Sequence, residues 1–225
     1  MSTVQSFLSA AGALLSDLNT LTQGLDLPTN ISVEFTWRPV ISGLECGNMV
    51  AFIPSSPQAL SLDILVNCAG IIRRDAEYEI PTFLEVLDVN LAGVMRLCTA
   101  CRPLLRESRG CIVNTASMLS FFGGPRVPAY TASKGAIAQL TKSLAVAWAP
   151  EGIRVNAVAP GWISTPLTQA LRDDPQRSAP ILSRTPMARW GTPEDVAGPV
   201  IFLCSKAAAF ITGVILPVDG GYSIA

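Results

Sequence analysis

Tyr130 and Lys134 stand four residues apart at the start of a predicted helix, so they share a face and lie within contact range. An ammonium beside a phenol favours the phenolate and lowers a pKa that starts near ~10. Such a pair can take up and return a proton. The point matters because the sequence contains no histidine. That absence excludes Ser-His-Asp and Cys-His catalysis, HExxH zinc sites and histidine relays. Acid–base chemistry is left to Tyr, Lys, Asp, Glu or a bound cofactor. Ser117, thirteen residues before Tyr130, follows a predicted strand and carries a hydroxyl that can bond the same substrate oxygen. Asn90 lies inside a predicted helix, where an amide is mildly unfavourable and often has a specific task. By itself the Tyr–Lys spacing also fits a half-buried tyrosine beside a solvated lysine.

The elements that must hold these side chains follow from hydrophobic periodicity. Asp63–Asn67 reads as a buried strand ending at Ala69-Gly70, and Cys111–Asn114 as the next. Arg154–Val158 is a third, halted at Pro160-Gly161, and Val214–Val218 precedes the turn Asp219-Gly220-Gly221. Between them, apolar spacing predicts helices over Pro81–Leu105, Thr131–Trp148 and Pro193–Leu203. This alternation implies an α/β fold with a parallel sheet covered on both faces. Ligands of such sheets bind beyond the carboxyl ends of the strands. The first 60 residues differ: they hold five charged residues and no lysine, with prolines at 28, 39, 54 and 57. Val4–Leu21 reads as an apolar helix and Ile31–Trp37 as an alternating strand. The expected organisation is an atypical segment, 1–60, packed on the same domain as a core spanning 61–225.

Composition narrows the function classes. With 225 residues, 49% hydrophobic and 15% charged, the chain suits one globular domain and argues against disorder. A net charge of -1 lacks the basic field of a nucleic-acid binder. No positive leader precedes an apolar run, and no run reaches membrane-spanning length. The expected compartment is the cytoplasm. The six cysteines are scattered through apolar runs and read as buried thiols rather than disulfides. Cys98 and Cys101 form a CxxC, yet they sit in a helical pattern without a second pair at zinc spacing. No metal site is expected.

Taken together, several motifs carry a resemblance. Asn67-Cys68-Ala69-Gly70, Asn90, Ser117, Tyr130-Thr-Ala-Ser-Lys134, Pro160-Gly161-Trp-Ile163-Ser-Thr165 and Val218-Asp219-Gly220-Gly221 have the order and spacing of the short-chain dehydrogenase/reductase family. The resemblance covers Ser61 to the C-terminus. It implies a Rossmann-like doubly wound sheet and an NAD or NADP cofactor. Tyr130 would be proton donor or acceptor, and Lys134 would hold the nicotinamide ribose and lower the tyrosine pKa. Ser117 would orient the carbonyl or alcohol, and Asn90 would anchor a water linking the lysine to solvent. Asn67, Ala69 and Gly70 would line the adenosine ribose; Pro160, Gly161, Ile163 and Thr165 would flank the nicotinamide. Cys68 departs from the second asparagine of the usual NNAG. Within the family, Ser117–Tyr130, Leu171–Trp190 and Ile71-Ile72-Arg73-Arg74 resemble the 2-dehydro-3-deoxy-D-gluconate 5-dehydrogenases and gluconate 5-dehydrogenases. That implies a small sugar-acid or hydroxy-acid substrate. Arg74, Arg126 and Arg189 are candidates to fork onto its carboxylate, or else form surface or inter-subunit ion pairs. The family's use of helices equivalent to Pro81–Leu105 and Thr131–Trp148 implies a homo-oligomer, tetramer or dimer.

One family element is missing. The glycine-rich TGxxxGxG turn, which brings pyrophosphate to a helix N-terminus, would fall before Met1 or at its edge. Ile41–Met49 keeps two of its glycines, but only Asn48–Leu62 then precede the Asp63 strand. A βα crossover needs about 10–12 residues, so two more units do not fit. Two expectations stand: an oxidoreductase with an irregular N-terminal part, or a scaffold of the same family without dinucleotide binding, serving as a non-redox binder, subunit partner or inactive truncated product.

Overall fold

The computed structural model describes residues 61–225 and two short strands, β1 (Glu34–Phe35) and β2 (Ala51–Phe52). These two pair antiparallel, Glu34 opposite Phe52. Of the Ile31–Trp37 expectation only Glu34–Phe35 is described. The Val4–Leu21 helix, the Ile41–Met49 look-alike and the division at residue 60 lie outside the described residues.

From residue 61 the strand–helix alternation is as expected. β3 (Ile64–Asn67), β4 (Cys111–Thr115), β5 (Arg154–Pro160) and β6 (Ile215–Val218) form one parallel sheet in sequence order. The register aligns Asn67 with Asn114 and Asn114 with Ala157. β3 leads through α1 (Ile80–Leu87) and α2 (Gly93–Ser108) to β4. α3 (Pro128–Trp148) joins β4 to β5; α4 (Gln169–Arg172), α5 (Pro175–Arg184) and α6 (Pro193–Cys204) join β5 to β6.

Alternating side chains feed two cores, as a period of two requires. On one face Leu65, Ile112, Val155 and Ala157 pack with Cys98, Leu105, Ile137, Leu144 and Trp148 from α2 and α3. On the other, Val113 and Val158 meet Leu203, with Val196 and Val200 beside them. The CxxC belongs to the first core: Cys98 and Cys101 are buried, and burial pushes the Cys98 thiol up to about 12. No helix among the described residues is long and apolar enough to cross a membrane.

The Pro81–Leu105 expectation needs one refinement. That stretch is interrupted by a π-helical turn, Asp88–Ala92, between α1 and α2. One extra residue per turn widens the helix locally and frees a side chain from the packing stripe. Asn90 lies within this turn and is fully buried.

Candidate active site

The expected side chains meet beyond the carboxyl ends of β3, β4 and β5. Ser117 follows β4 and caps the short turn Met118–Ser120: its Oγ accepts from Leu119 N–H at 3.2 Å. Ser120 in turn donates its hydroxyl to the Lys134 carbonyl at 2.7 Å, fastening this turn to α3. α3 starts with Pro128 in its first turn, where a missing N–H costs nothing. Tyr130 and Lys134 therefore project together from that helix's first turns. The Ser117 hydroxyl is adjacent to the Tyr130 phenol and favours its ionised form.

Lys134 is almost fully buried, at 4% exposure. Its ammonium lies 5.5 Å from the Tyr130 ring centroid and donates to the Thr115 carbonyl at 2.7 Å. Loss of hydration lowers its pKa from 10.5 to about 8. Burial likewise raises the pKa of Tyr130, opposed by Ser117 and by the charge of Arg74, with Glu77 adding to the rise. Arg74, from the loop after β3, is a further cation that favours ionisation of this phenol, and Lys134 spends one donor on the Thr115 carbonyl.

Asn90 is fully buried in this corner. Its amide is engaged with protein: Oδ1 accepts from Ile71 N–H at 2.8 Å, while Nδ2 donates to the Ile71 carbonyl at 2.9 Å and to Ser133 Oγ at 3.1 Å. It holds the loop after β3 against α3. Asn67 turns inward, donating to Asn114 Oδ1 at 2.8 Å; Asn114 continues the chain to Thr141 at 3.0 Å. Cys68, where the family pattern has asparagine, lies near Thr115 and Lys134, and burial raises its pKa. Ala69 is buried and Gly70 exposed at the end of this strand.

Pro160 and Gly161 end β5 beside β6, where Gly161 N–H donates to the Val218 carbonyl at 3.0 Å. Ile163 bridges to Gly191, and Thr165 caps the turn Pro166–Thr168. A cavity of about 520 Å³ opens here, lined by Trp162, Ile163, Met187, Arg189, Asp195 and Asp219 among others. Tyr130 and Ser117 are not part of its wall.

The three candidate arginines separate clearly. Arg126 forks onto Asp75, with Nε at 2.8 Å from Oδ1. Arg189 forks onto Asp195 at 2.6 and 2.8 Å. Arg74 is half-buried, near the phenol, and makes no ion pair or hydrogen bond among the described residues. It is the cation left available to an anionic ligand.

The donor set fits the nicotinamide riboside end of a dinucleotide. Lys134 has three donors, of which Thr115 takes one, and Tyr130 adds a phenol. Gly70 keeps the space before them clear: a Cβ there would stand 3.6 Å from Lys134 Nζ and 3.5 Å from Asn90 Oδ1. A glycine-rich turn for the pyrophosphate end has no counterpart among the described residues. Sequence reasoning missed two contributors, the Thr115 carbonyl and Glu77. Glu77 sits in a charged stretch that reads as exposed loop, and nothing in its spacing marks it.

Comparison with known proteins finds relatives among dehydrogenases and reductases. A family model described as enoyl-(acyl carrier protein) reductase matches residues 46–223. The chain is 51% identical over 164 residues to 2-dehydro-3-deoxy-D-gluconate 5-dehydrogenase of Bacillus subtilis, covering 72% of this chain and 65% of that protein. Galactitol 2-dehydrogenase (L-tagatose-forming) of Cereibacter sphaeroides is 37% identical over 222 residues, covering 96% of this chain and 87% of that one. Among solved structures, a gluconate 5-dehydrogenase from Burkholderia cenocepacia, in complex with NADP and tartrate, superposes with a TM-score of 0.71. It is 39% identical and covers 73% of this chain and 66% of that one. The chain thus spans about 65% of the length of the first of these relatives. With the parallel sheet, the Tyr130–Lys134 pair and this extent of similarity in place, the chain belongs to the short-chain dehydrogenase/reductase family.

Proposed function

We propose that the chain is an NAD- or NADP-dependent dehydrogenase that interconverts a secondary alcohol and a ketone on a small sugar acid. The observation that carries this reading is the convergence of Tyr130, Ser117 and Lys134 with an unpaired Arg74 beside the phenol. Tyr130 takes the alcohol proton in oxidation and returns it in reduction. Ser117 hydrogen-bonds the same oxygen, and Arg74 forks onto the substrate carboxylate. Arg126 and Arg189, already paired with Asp75 and Asp195, hold loops in place. Lys134 and Tyr130 hold the nicotinamide ribose, with Gly70 leaving room; Pro160, Gly161, Ile163 and Thr165 form the wall on the β5 side. Bound there, the nicotinamide supplies hydride exchange with the carbinol carbon.

The similarity to gluconate-type dehydrogenases supports the substrate class, and five free thiols among the described residues suit a reducing, cytoplasmic setting. Exposed Ile80 and Leu84 on α1, and Met95 on α2, support a homo-oligomer, a dimer or tetramer. The test is a panel of sugar acids and matched uncharged polyols, assayed with each cofactor by the absorbance of reduced nicotinamide. Turnover of a sugar acid that collapses in Arg74→Gln supports the reading. Absence of turnover across the panel, or equal use of acids and polyols, overturns it.

A further inference from the structure

Glu77 lies in the short turn Ala76–Tyr78 and is fully buried. It forms no ion pair among the described residues. A buried carboxylate without a cation is costly unless its oxygens accept hydrogen bonds. Both oxygens do, from main-chain groups on two different elements. Oε1 accepts from Arg73 N–H at 2.8 Å, and Oε2 accepts from Tyr130 N–H at 2.8 Å. Tyr130 is in the first turn of α3, where N–H groups have no partner within the helix. The residue preceding that helix, Val127, supplies no side-chain acceptor. Glu77 caps α3 from outside, and a charged acceptor at that end suits both the amide and the helix dipole.

The loop that delivers Glu77 also carries Arg74, and further bonds tie it to the approach of α3. Asp75 adopts a left-handed backbone with φ 66, its N–H donates to the Arg126 carbonyl at 2.9 Å, and its carboxylate meets the Arg126 guanidinium. Tyr78 donates its hydroxyl to the Pro125 carbonyl. Those contacts lie at the exposed rim. Glu77 is the buried one, and it alone reaches the amide of Tyr130 itself.

We infer that Glu77 is a positioning residue: one buried carboxylate joins the loop bearing Arg74 to the helix bearing Tyr130, fixing the distance between carboxylate anchor and phenol and setting the charge the phenol feels. The inference rests on the roles proposed above for Tyr130 and Arg74. Its two consequences are separable. The negative charge near the phenol opposes phenolate formation, against Arg74, which favours it. The two amide bonds fix geometry, and a displacement of about 1 Å at a reacting centre can cost ~10²-fold.

The experiment uses Glu77→Gln, which removes the charge and keeps the shape, and Glu77→Asp, which keeps the charge but is too short for both amides. Phenolate absorbance is titrated in the full chain, subtracting Tyr130→Phe to isolate Tyr130 from Tyr78 and Tyr222. Expected is a lower titration midpoint in Glu77→Gln, since a charge opposing ionisation has gone, and a midpoint near wild type in Glu77→Asp. In turnover, both variants should raise KM for a sugar acid about tenfold while leaving KM for an uncharged polyol unchanged. An unchanged midpoint in Glu77→Gln overturns the electrostatic half, and wild-type KM for the acid in Glu77→Asp overturns the geometric half. If Glu77→Gln fails to fold, Glu77→Asp decides by the split between acid and polyol. A wild type without activity refutes the proposed function, and the phenol titration still decides the role of Glu77.

Discussion

Lys134 loses its hydration on entering the site, and its pKa falls from 10.5 to about 8. Between those values the unfolded chain keeps a proton that the folded chain has released. Stability attributable to this group therefore rises with pH across that window, and is lost as pH falls back through about 8. Urea midpoints measured at about pH 8 and about pH 10 should show this rise in wild type. The Lys134→Met variant should lack it; an identical pH dependence in both proteins would mean the ammonium is not desolvated as described. Tyr130 is the other residue whose chemistry is exposed to test. General acid–base help is worth about 10²–10⁴ in rate. Tyr130→Phe should lose turnover by that factor while its circular dichroism and unfolding midpoint stay near wild type. Normal turnover would move the proton-carrying role elsewhere.

The ends of β5 and β6 approach closely because Gly161 has no side chain. A Cβ there would stand 2.6 Å from Asp219 Cβ and 2.8 Å from its Cα. Backbone has to yield, so Gly161→Ala should cost about 1–3 kcal/mol, read as a lower denaturant midpoint. The sheet itself was legible from sequence because each parallel strand reads as an apolar run bounded by breakers, with β4 and β5 buried along almost their whole length. The Asp63, Cys111, Arg154 and Val214 runs all became strands, with ends shifted by one or two residues. The π-helical turn at Asn90 was not legible, since one inserted residue leaves the surrounding apolar spacing intact. Nor was α5, whose Pro180 reads as a breaker although Asp174 caps its start and Pro175 opens it. Tyr130, Ser117 and Lys134 were singled out by type and spacing, and the structure brings them together. The fates of the arginines were not, because the partner of Arg126 lies 51 residues away. Glu77 was hidden for the same reason, 53 residues from the amide it caps.

At the scale of the whole molecule, the described sheet has four parallel strands, and the candidate site is built on the carboxyl ends of β3 to β6. Exposed Ile80, Leu84 and Met95 predict association: light scattering at micromolar concentration should give the mass of a dimer or tetramer, and a monomeric mass would contradict it. Cofactor binding is a separate question from assembly. The proposed riboside corner is Lys134, Tyr130 and Gly70, while no glycine-rich turn for pyrophosphate is found among the described residues. Titration of NADH and NADPH into the purified full chain, followed by nicotinamide fluorescence, tests this most directly. The expected result is a saturable change with at least one of the two, abolished in Lys134→Met. No change with either cofactor would contradict it, and would leave a family scaffold that no longer binds a dinucleotide.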